Sequence, residues 1–201
     1  MNTKNEIDIK TLKKLYSEPR PTSIAKVQYQ IDEYSAEYIS RSPFLILGTE
    51  GDVSPKGDFP GFVKVIDKKT VCIPDRSGNN RLDSYINILS NPTVAVMFFI
   101  PGISETLRIR GTAEITDNKK LLETMSIKSI IPKTALIIHI KEIYLHCAKA
   151  IVRSGIWDQK NIVKNYSTRE MFSSHVGKNI DEFSDYYDKS IRSVIDDEGR
   201  K

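Results

Sequence analysis

The chain has 201 residues, of which 39% are hydrophobic and 28% charged, proportions typical of a globular protein with a buried core. Its net charge of +4 could steer an anionic ligand, but it is weak support for nucleic-acid binding, which would need a basic stripe. No apolar run reaches the roughly 18 residues of a membrane helix, and the N-terminus lacks a signal-peptide core. Cys72 and Cys147 form no CxxC motif, so we expect a cytoplasmic protein.

The first 40 residues are polar and have a helical pattern. Pro19 and Pro21 break the chain, and Thr22 or Ser23 could cap a helix that begins there. Apolar side chains then recur at spacings of three and four residues, which predicts one amphipathic helix carrying Ile24, Val27, Ile31, Tyr34 and Tyr38. We expect residues 1–40 to pack on the outside of the main domain or on a partner chain.

From residue 43 the pattern changes to short apolar strands. Six are predicted, at residues 44–49, 61–67, 70–74, 93–100, 105–115 and 135–146. Lys68-Lys69 and Pro101-Gly102 indicate hairpins, and two short helices are predicted at 80–90 and 117–126. Hairpin connections imply an antiparallel sheet, and six closely spaced strands favour a barrel.

We therefore expect a mainly β protein with flanking helices. The barrel would occupy residues 41–158, and a helical tail would occupy residues 159–201.

The turn IPDRSGNNRLDS, residues 73–84, is unusually rich in hydrogen-bond donors. The donors lie near the start of the predicted helix 80–90, where unpaired backbone N–H groups and the helix dipole favour anions. They are Arg76, Ser77, Asn79, Asn80 and Arg81. Guanidinium groups can contact two phosphate oxygens at once, which indicates a phosphate site. Local chemistry leaves an alternative equally open: Asn79 caps the helix, and the arginines are solvated or pair with Asp75 and Asp83.

Two further segments could contact a ligand. GDVSPKGDFPGF, residues 51–62, combines prolines and glycines into an irregular path from which Lys56 and Asp58 project. Either it brings backbone amides close to a flat ligand or it is a long hairpin connection. HCAKAIVRSGIWD, residues 146–158, contains two basic residues and the single tryptophan, Lys149, Arg153 and Trp157. These could close over an aromatic anion, or the tryptophan could be an ordinary half-exposed side chain.

Metal binding and the common catalytic motifs find little support. His139, His146 and Cys147 are the nearest approach to a ligand cluster, but zinc ligands come in spaced sets, so we expect no metal site. His139 is expected to be a strand histidine with a partner. The sequence contains no GxSxG, Walker A or GxGxxG motif, which argues against a hydrolase elbow, a P-loop and a Rossmann fingerprint.

Three segments in order, SPKGDFPGF, IPDRSGNNRLDSYINILSNP and HCAKAIVRSGIWD, resemble the pyridoxamine 5'-phosphate oxidase-like family of FMN-binding split β-barrels. It also resembles, more closely, a bacterial subgroup of uncharacterised FMN-binding proteins. The strands PTVAVMFFIPG and ETLRIRGTAEI also fit, and the match covers roughly residues 41–158.

The resemblance implies a six-stranded antiparallel split β-barrel that forms a homodimer with two FMN sites at the subunit interface. The phosphate contacts that it implies lie in the 76–81 turn, above all Arg76, Ser77, Asn80 and Arg81, with Asn79 beside them. The residues implied to line the isoalloxazine ring are Lys56, Gly57 and Asp58, together with the strand that begins at Phe62 and Val63. Thr106 would reach the cofactor from the second subunit, and the C-terminal basic and tryptophan contacts would be Lys149, Arg153 and Trp157.

The function implied is that of an FMN-dependent oxidoreductase with an unknown substrate and no assigned catalytic side chain. The founding oxidase's C-terminal substrate motif has no match here, because RSGIWD carries one arginine and no RxH-like element follows it. Two alternatives remain. The first is a non-catalytic flavin- or haem-binding module, with His139 or His146 as the haem ligand. The second is a reductase that uses the deazaflavin F420.

Overall fold

The computed structural model describes residues 7–177 and 179–199. Within them the strands are β1 Phe44–Thr49, β2 Asp52–Gly57, β3 Lys64–Asp67, β4 Thr70–Pro74, β5 Thr93–Phe99, β6 Thr106–Thr116 and β7 Ala135–His146. The helices are α1 Ile9–Leu15, α2 Pro21–Ala25, α3 Glu33–Arg41, α4 Asp83–Ser90, α5 Lys119–Glu123, α6 Lys149–Ser154, α7 Arg169–Val176 and α8 Ile180–Glu198. A short 3₁₀ helix covers Gln159–Asn161. No helix in these two ranges is long and apolar enough to cross a membrane.

The strands form one antiparallel sheet in the order β2-β1-β5-β6-β7-β4-β3. The predicted mainly β fold with flanking helices is confirmed, and so are the hairpins β3–β4 and β5–β6. Although β2 and β4 are first and sixth in the sheet, Arg76 beyond β4 contacts Asp58 beyond β2. The sheet therefore curls until its two edges approach each other without pairing, which is the geometry of a split barrel.

The predicted strand count of six is wrong, because the described residues contain a seventh strand, β2. It lies within the segment 51–62, which the prolines and glycines made look irregular. Gly51 takes a left-handed φ of 72° and turns the chain so that Asp52 pairs with Thr49. Pro55 is tolerated because β2 is an edge strand, where a missing backbone donor costs no ladder bond. The predicted strand 61–67 starts later, at Lys64, so Phe62 and Val63 precede it.

The core lies inside the curled sheet. Alternate residues of β5 point inward, as in a half-buried strand, and Phe98 is fully buried. Ile39 of α3 and Ile88 of α4 pack into the same cluster, so both helices are fixed to the sheet. Each such side chain contributes about 1.5–3 kcal/mol on burial. A second, smaller cluster under α5 contains Cys72, Leu122, Met125 and Ala135.

The single N-terminal helix predicted from the spacing of Ile24, Val27, Ile31, Tyr34 and Tyr38 is wrong. The chain between α2 and α3 is not helical, and there the backbone of Gln28 exchanges two hydrogen bonds with Ile143 of β7. The stripe is therefore divided between α2, this connection and α3. Ile31 is buried and Tyr38 is half-buried, whereas Ile24 and Tyr34 are exposed.

Candidate functional site

A groove lies where the curled edges of the sheet approach. Its larger part has a volume of about 740 Å³ and is lined by β2, the loop 75–82 after β4, the segment 127–133 and the last turns of α8. A smaller part of about 360 Å³ adjoins it and shares residues 54–56 and 76–79. Both volumes lie in the range of small-molecule sites.

Most residues of the predicted phosphate and ring sites come together here. Four line both parts of the groove: Lys56, Arg76, Ser77 and Asn79. Asn80 and Arg81 line the larger part, and Gly57 and Phe62 line the smaller part. The segments 51–62 and 73–84, which are separate in the sequence, therefore face one cavity.

Asp58 and Val63 line neither part. Val63 is buried in the core. The Asp58 carboxylate is buried and accepts a hydrogen bond from Arg76 Nε at 2.5 Å. Both side chains of this pair are largely buried: the Asp58 side chain is 1% exposed and the Arg76 side chain is 18% exposed.

The loop that carries the donors has an unusual backbone. In the described ranges, left-handed φ angles at non-glycine residues occur at Asn80 (58°), Leu82 (61°) and Lys128 (50°). Asn80 and Leu82 line the groove, and Lys128 lies in the segment that forms its opposite wall. Each such residue costs on the order of 1–3 kcal/mol, and such strain clusters at functional sites.

The alternative in which Asn79 caps the helix is wrong. The helix α4 begins at Asp83, and its N-cap is Leu82, which makes no side-chain cap. Asn79 Oδ1 instead accepts from the backbone N–H of Arg81 within the loop, at 3.1 Å. The donors therefore form a separate loop ahead of the helix.

The two arginines of the loop are held differently. Arg81 donates to Asp83 at 2.8 Å, as the alternative interpretation expected, and its side chain is 72% exposed. Such an exposed pair contributes about 0–1 kcal/mol, so Arg81 can exchange Asp83 for a ligand at little cost. Arg76 pairs with the buried Asp58, and not with Asp75 as the alternative interpretation expected.

Tyr85 and Lys56 form a further wall of the groove that the sequence did not single out as a pair. The Lys56 ammonium lies 5.8 Å from the centre of the Tyr85 ring, within cation–π range. Burial raises the pKa of the Tyr85 phenol, so it is neutral near pH 7.

The remaining predicted residues lie elsewhere. Thr106 begins β6 and is buried, and Lys149 and Arg153 are exposed on α6. Trp157 is half-buried, and its Nε1 donates to the Ile103 carbonyl at 2.9 Å.

The sheet register separates this second group from the groove. Thr106 pairs with His146 at one end of β7. At the other end, Ala135 pairs with Pro74, which lies just before residues 76–81, the donor loop. The ten steps from Thr106 to Thr116 amount to about 30 Å of strand. Within one chain, Thr106 and the donor loop are therefore at opposite ends of β6.

The histidines do not line the groove. His139 lies 3.4 Å from Glu114 across β6 and β7, so it is a strand histidine with a partner, as expected. His146 has a buried Nδ1 without a hydrogen-bond partner among the described residues. No group of three or more His, Cys, Asp or Glu side chains suited to a metal occurs in the described part of the chain.

Sequence reasoning missed the opposite wall of the groove. Ile127, Ile130 and Ile131 line it together with Ser193, Val194 and Glu198 of α8. Lys128 Nζ donates to the Asp196 carbonyl at 3.0 Å and so ties α8 to this wall. No local signal could have placed α8 here, because it lies more than a hundred residues from the donor loop.

Comparison with known proteins gives one match to a family. The family model described as "Pyridoxamine 5'-phosphate oxidase" matches residues 31–147, more than half of the chain. No curated protein matches the sequence at a significant level.

Solved structures give partial likenesses. HupZ of Group A Streptococcus is 22% identical with a TM-score of 0.45, over 57% of this chain and 93% of that chain. A Clostridium acetobutylicum protein related to general stress protein 26, of the pyridoxinephosphate oxidase family, is 17% identical with a TM-score of 0.43, over 58% and 90%. An FMN-binding protein from Syntrophomonas wolfei is 14% identical with a TM-score of 0.38, over 54% and 86%.

Proposed function

Because the chain belongs to the pyridoxamine 5'-phosphate oxidase family, we propose that it binds FMN and acts as an FMN-dependent oxidoreductase. The observation that carries the proposal is the groove that Arg76, Arg81 and Lys56 line together with Ser77, Asn79 and Asn80 of the donor loop. A phosphate monoester is the group that such donors suit best, because guanidinium forks and backbone N–H groups match its oxygens.

The residues present fit FMN in two parts. The donor loop, residues 76–81, would hold the phosphate through Arg76, Ser77, Asn80 and Arg81. Lys56, Gly57 and Phe62, which line the smaller part of the groove, would face the ring. When bound, the flavin supplies the hydride or electron transfer, and the protein supplies position and charge. The ammonium of Lys56 would stabilise negative charge that develops on the ring.

We propose that the working form is a homodimer with FMN at the subunit interface. Thr106, Lys149, Arg153 and Trp157 would then contact the cofactor held by the partner's donor loop. The separation of about 30 Å along β6 supports this arrangement, because one chain cannot bring both groups to one mononucleotide. Residues 41–158 would form the cofactor-binding unit, with the helices on either side packed against it. Two free cysteines, one of them exposed, support a reducing, cytoplasmic location.

The groove favours FMN over F420. Beyond the donor loop its wall is largely apolar, with Ile127, Ile130, Ile131 and Pro132, and it carries one basic and one acidic residue, Lys133 and Glu198. The polyanionic tail of F420 would need a basic continuation instead. Oxidation of NAD(P)H by the FMN-loaded protein separates an enzyme from a flavin-binding module without turnover.

Variants of the arginines test the proposal. Titration of the apoprotein with FMN, followed by flavin fluorescence, should show that Arg76→Ala and Arg81→Ala each weaken binding. The expected loss is roughly tenfold or more, because a charge-assisted hydrogen bond contributes about 1.5–3 kcal/mol. Arg81 is exposed, so its replacement leaves the fold intact.

Arg110→Ala is the matched control, because Arg110 pairs with Glu142 on the outer face of the sheet and does not line the groove. It should bind FMN as the wild type does. If Arg76→Ala and Arg81→Ala bound FMN as tightly as Arg110→Ala, this would contradict the assignment of the donor loop as the phosphate site.

A further inference from the structure

The Asp58 carboxylate is buried and contacts Arg76, which lines the groove. Its Oδ2 accepts from Arg76 Nε and its Oδ1 accepts from the backbone N–H of Phe59, both at 2.5 Å. Its own backbone N–H donates to the Pro43 carbonyl, just before β1. Both oxygens therefore have a partner, and the contacts with Arg76 and Pro43 fix Asp58 to two other segments of the fold.

A buried carboxylate is costly unless it is paired, and the pairing rarely repays the whole cost of desolvation. Stability alone therefore does not explain why an aspartate stands here. Its partner Arg76 lines both parts of the groove, whereas Asp58 lines neither.

The contact between the two residues uses only one corner of the guanidinium. Asp58 accepts from Nε, and among the described residues no side chain accepts from the two terminal nitrogens of Arg76. These two nitrogens form the edge of the planar fork that can grip two oxygens of a phosphoryl group.

We propose that Asp58 is a positioning residue that holds the Arg76 guanidinium so that its terminal nitrogens meet the phosphoryl group of the ligand. Asp58 acts through Arg76 and does not touch the flavin ring. The inference rests on the proposed function and deepens it, because it assigns to this pair the discrimination between a phosphorylated and an unphosphorylated flavin.

The test compares FMN with riboflavin, which has the same ring but no phosphate. Asp58→Asn keeps the size of the side chain but removes the charge that orients Arg76. Its affinity for FMN should fall about tenfold or more, while its affinity for riboflavin stays unchanged, because the lost interaction concerns the phosphate alone. An equal fall for both ligands, or for neither, would overturn the inference.

Glu142→Gln is the matched control, because it neutralises the carboxylate of another arginine pair, Arg110–Glu142, outside the groove. It should leave the ratio of FMN to riboflavin affinity at the wild-type value. Thermal unfolding of each variant shows whether it folds.

If Asp58→Asn does not fold, Arg76→Lys takes its place, since lysine keeps the charge but cannot bind Asp58 and phosphate through one planar fork. Arg76→Lys should lower FMN affinity and leave riboflavin affinity unchanged, and an equal change in both affinities, or in neither, would overturn the inference.

A double variant separates indirect from direct action. In an Arg76→Ala background, Asp58→Asn should cause no further loss of FMN affinity, because the residue through which it acts is absent. A further loss of the same size as in the wild type would show that Asp58 acts on the ligand by another route.

Inorganic phosphate distinguishes failure of the inference from failure of the proposed function. If the wild type binds no flavin, the proposed function fails. Tighter phosphate binding by the wild type than by Asp58→Asn, measured by calorimetry, would still support the role of Asp58. Equal phosphate binding, or none in either protein, would overturn it.

Discussion

The two cysteines differ in their surroundings, and the difference has a consequence for stability. Cys72 is fully buried in the cluster with Leu122, Met125 and Ala135, and burial raises the pKa of its thiol from 9.0 to about 11. Cys147 follows β7 and is exposed. The burial of Cys72 agrees with its place in the sequence, because it stands within the apolar strand TVCIP.

The raised pKa makes stability depend on pH. The folded chain keeps the Cys72 proton up to about pH 11, whereas the unfolded chain loses it near pH 9. Unfolding thus releases a proton between these values, so the contribution of Cys72 is complete below pH 9 and falls as the pH rises toward 11. A pKa difference of one is worth about 1.4 kcal/mol, so the wild type should lose about 2 kcal/mol more than Cys72→Ala across this window.

Denaturant unfolding at several pH values measures this difference. Buried tyrosines titrate in both proteins, so most of their contribution cancels in the comparison, because burial is the largest and Cys72 the smallest of the causes that raise the pKa of Tyr85. Cys147→Ala is the control and should follow the wild-type profile, because its side chain is exposed. Parallel profiles for the wild type and Cys72→Ala would show that the Cys72 thiol titrates alike in both states.

At the scale of single elements, the longest strands, β6 and β7, depend on a glycine. Their register shifts between Arg110 and Gly111, and a Cβ on Gly111 would lie 2.1 Å from the His139 carbonyl oxygen. Backbone atoms cannot yield cheaply, so Gly111→Ala should destabilise the protein by roughly 3 kcal/mol.

Gly48→Ala is the matched control, since a Cβ at this strand glycine would meet its nearest neighbour at an ordinary 3.5 Å. It should change the free energy of unfolding by less than about 1 kcal/mol. Urea unfolding of both variants decides the point, and similar losses in both would show that the bulge at Gly111 adapts.

The elements that could be predicted are those whose signal is local. Alternating or continuous apolar residues gave β1 and β4 to β7, and β7 has the bounds expected, residues 135–146. The prolines of the segment 51–62 hid β2, because a rule that excludes proline holds for central strands but not for edges. Periodicity misled the N-terminal prediction, because backbone pairing of Gln28 with β7 replaces helical hydrogen bonds there.

The candidate site could likewise be predicted only where its signal is local. Residue types identified the donor loop, because arginine, serine and asparagine are concentrated in it. Its geometry was not predictable, since the left-handed backbone at Asn80 and Leu82 and the burial of Asp58 against Arg76 depend on contacts across the curled sheet. The wall formed by α8 depends on contacts at still greater distance along the chain.

At the scale of the whole molecule, an FMN site shared between two subunits predicts that two variants that do not bind FMN can restore binding in a mixed dimer. Arg76→Ala should lose FMN binding because it removes a contact of the donor loop. A double variant with Lys149→Ala and Arg153→Ala should lose FMN binding because it removes the contacts at the opposite end of the subunit. Unfolding and refolding an equal mixture of the two would form mixed dimers, each with one intact site. Binding should then return to about a quarter of the wild-type sites.

Size-exclusion chromatography with light scattering provides the check on this experiment, because it should report a dimer for every variant. No recovery in the mixture, or full binding by the Lys149 and Arg153 double variant alone, would argue against the interface site. A monomer would exclude it.

The most direct test of the central claim is the absorption spectrum of the purified protein, with identification by mass of the cofactor that it releases. If the donor loop holds a flavin phosphate, the protein shows flavin bands and releases FMN at about one molecule per chain. A colourless protein that also takes up no added FMN would contradict the account and leave the loop at residues 76–81 as a turn without a flavin.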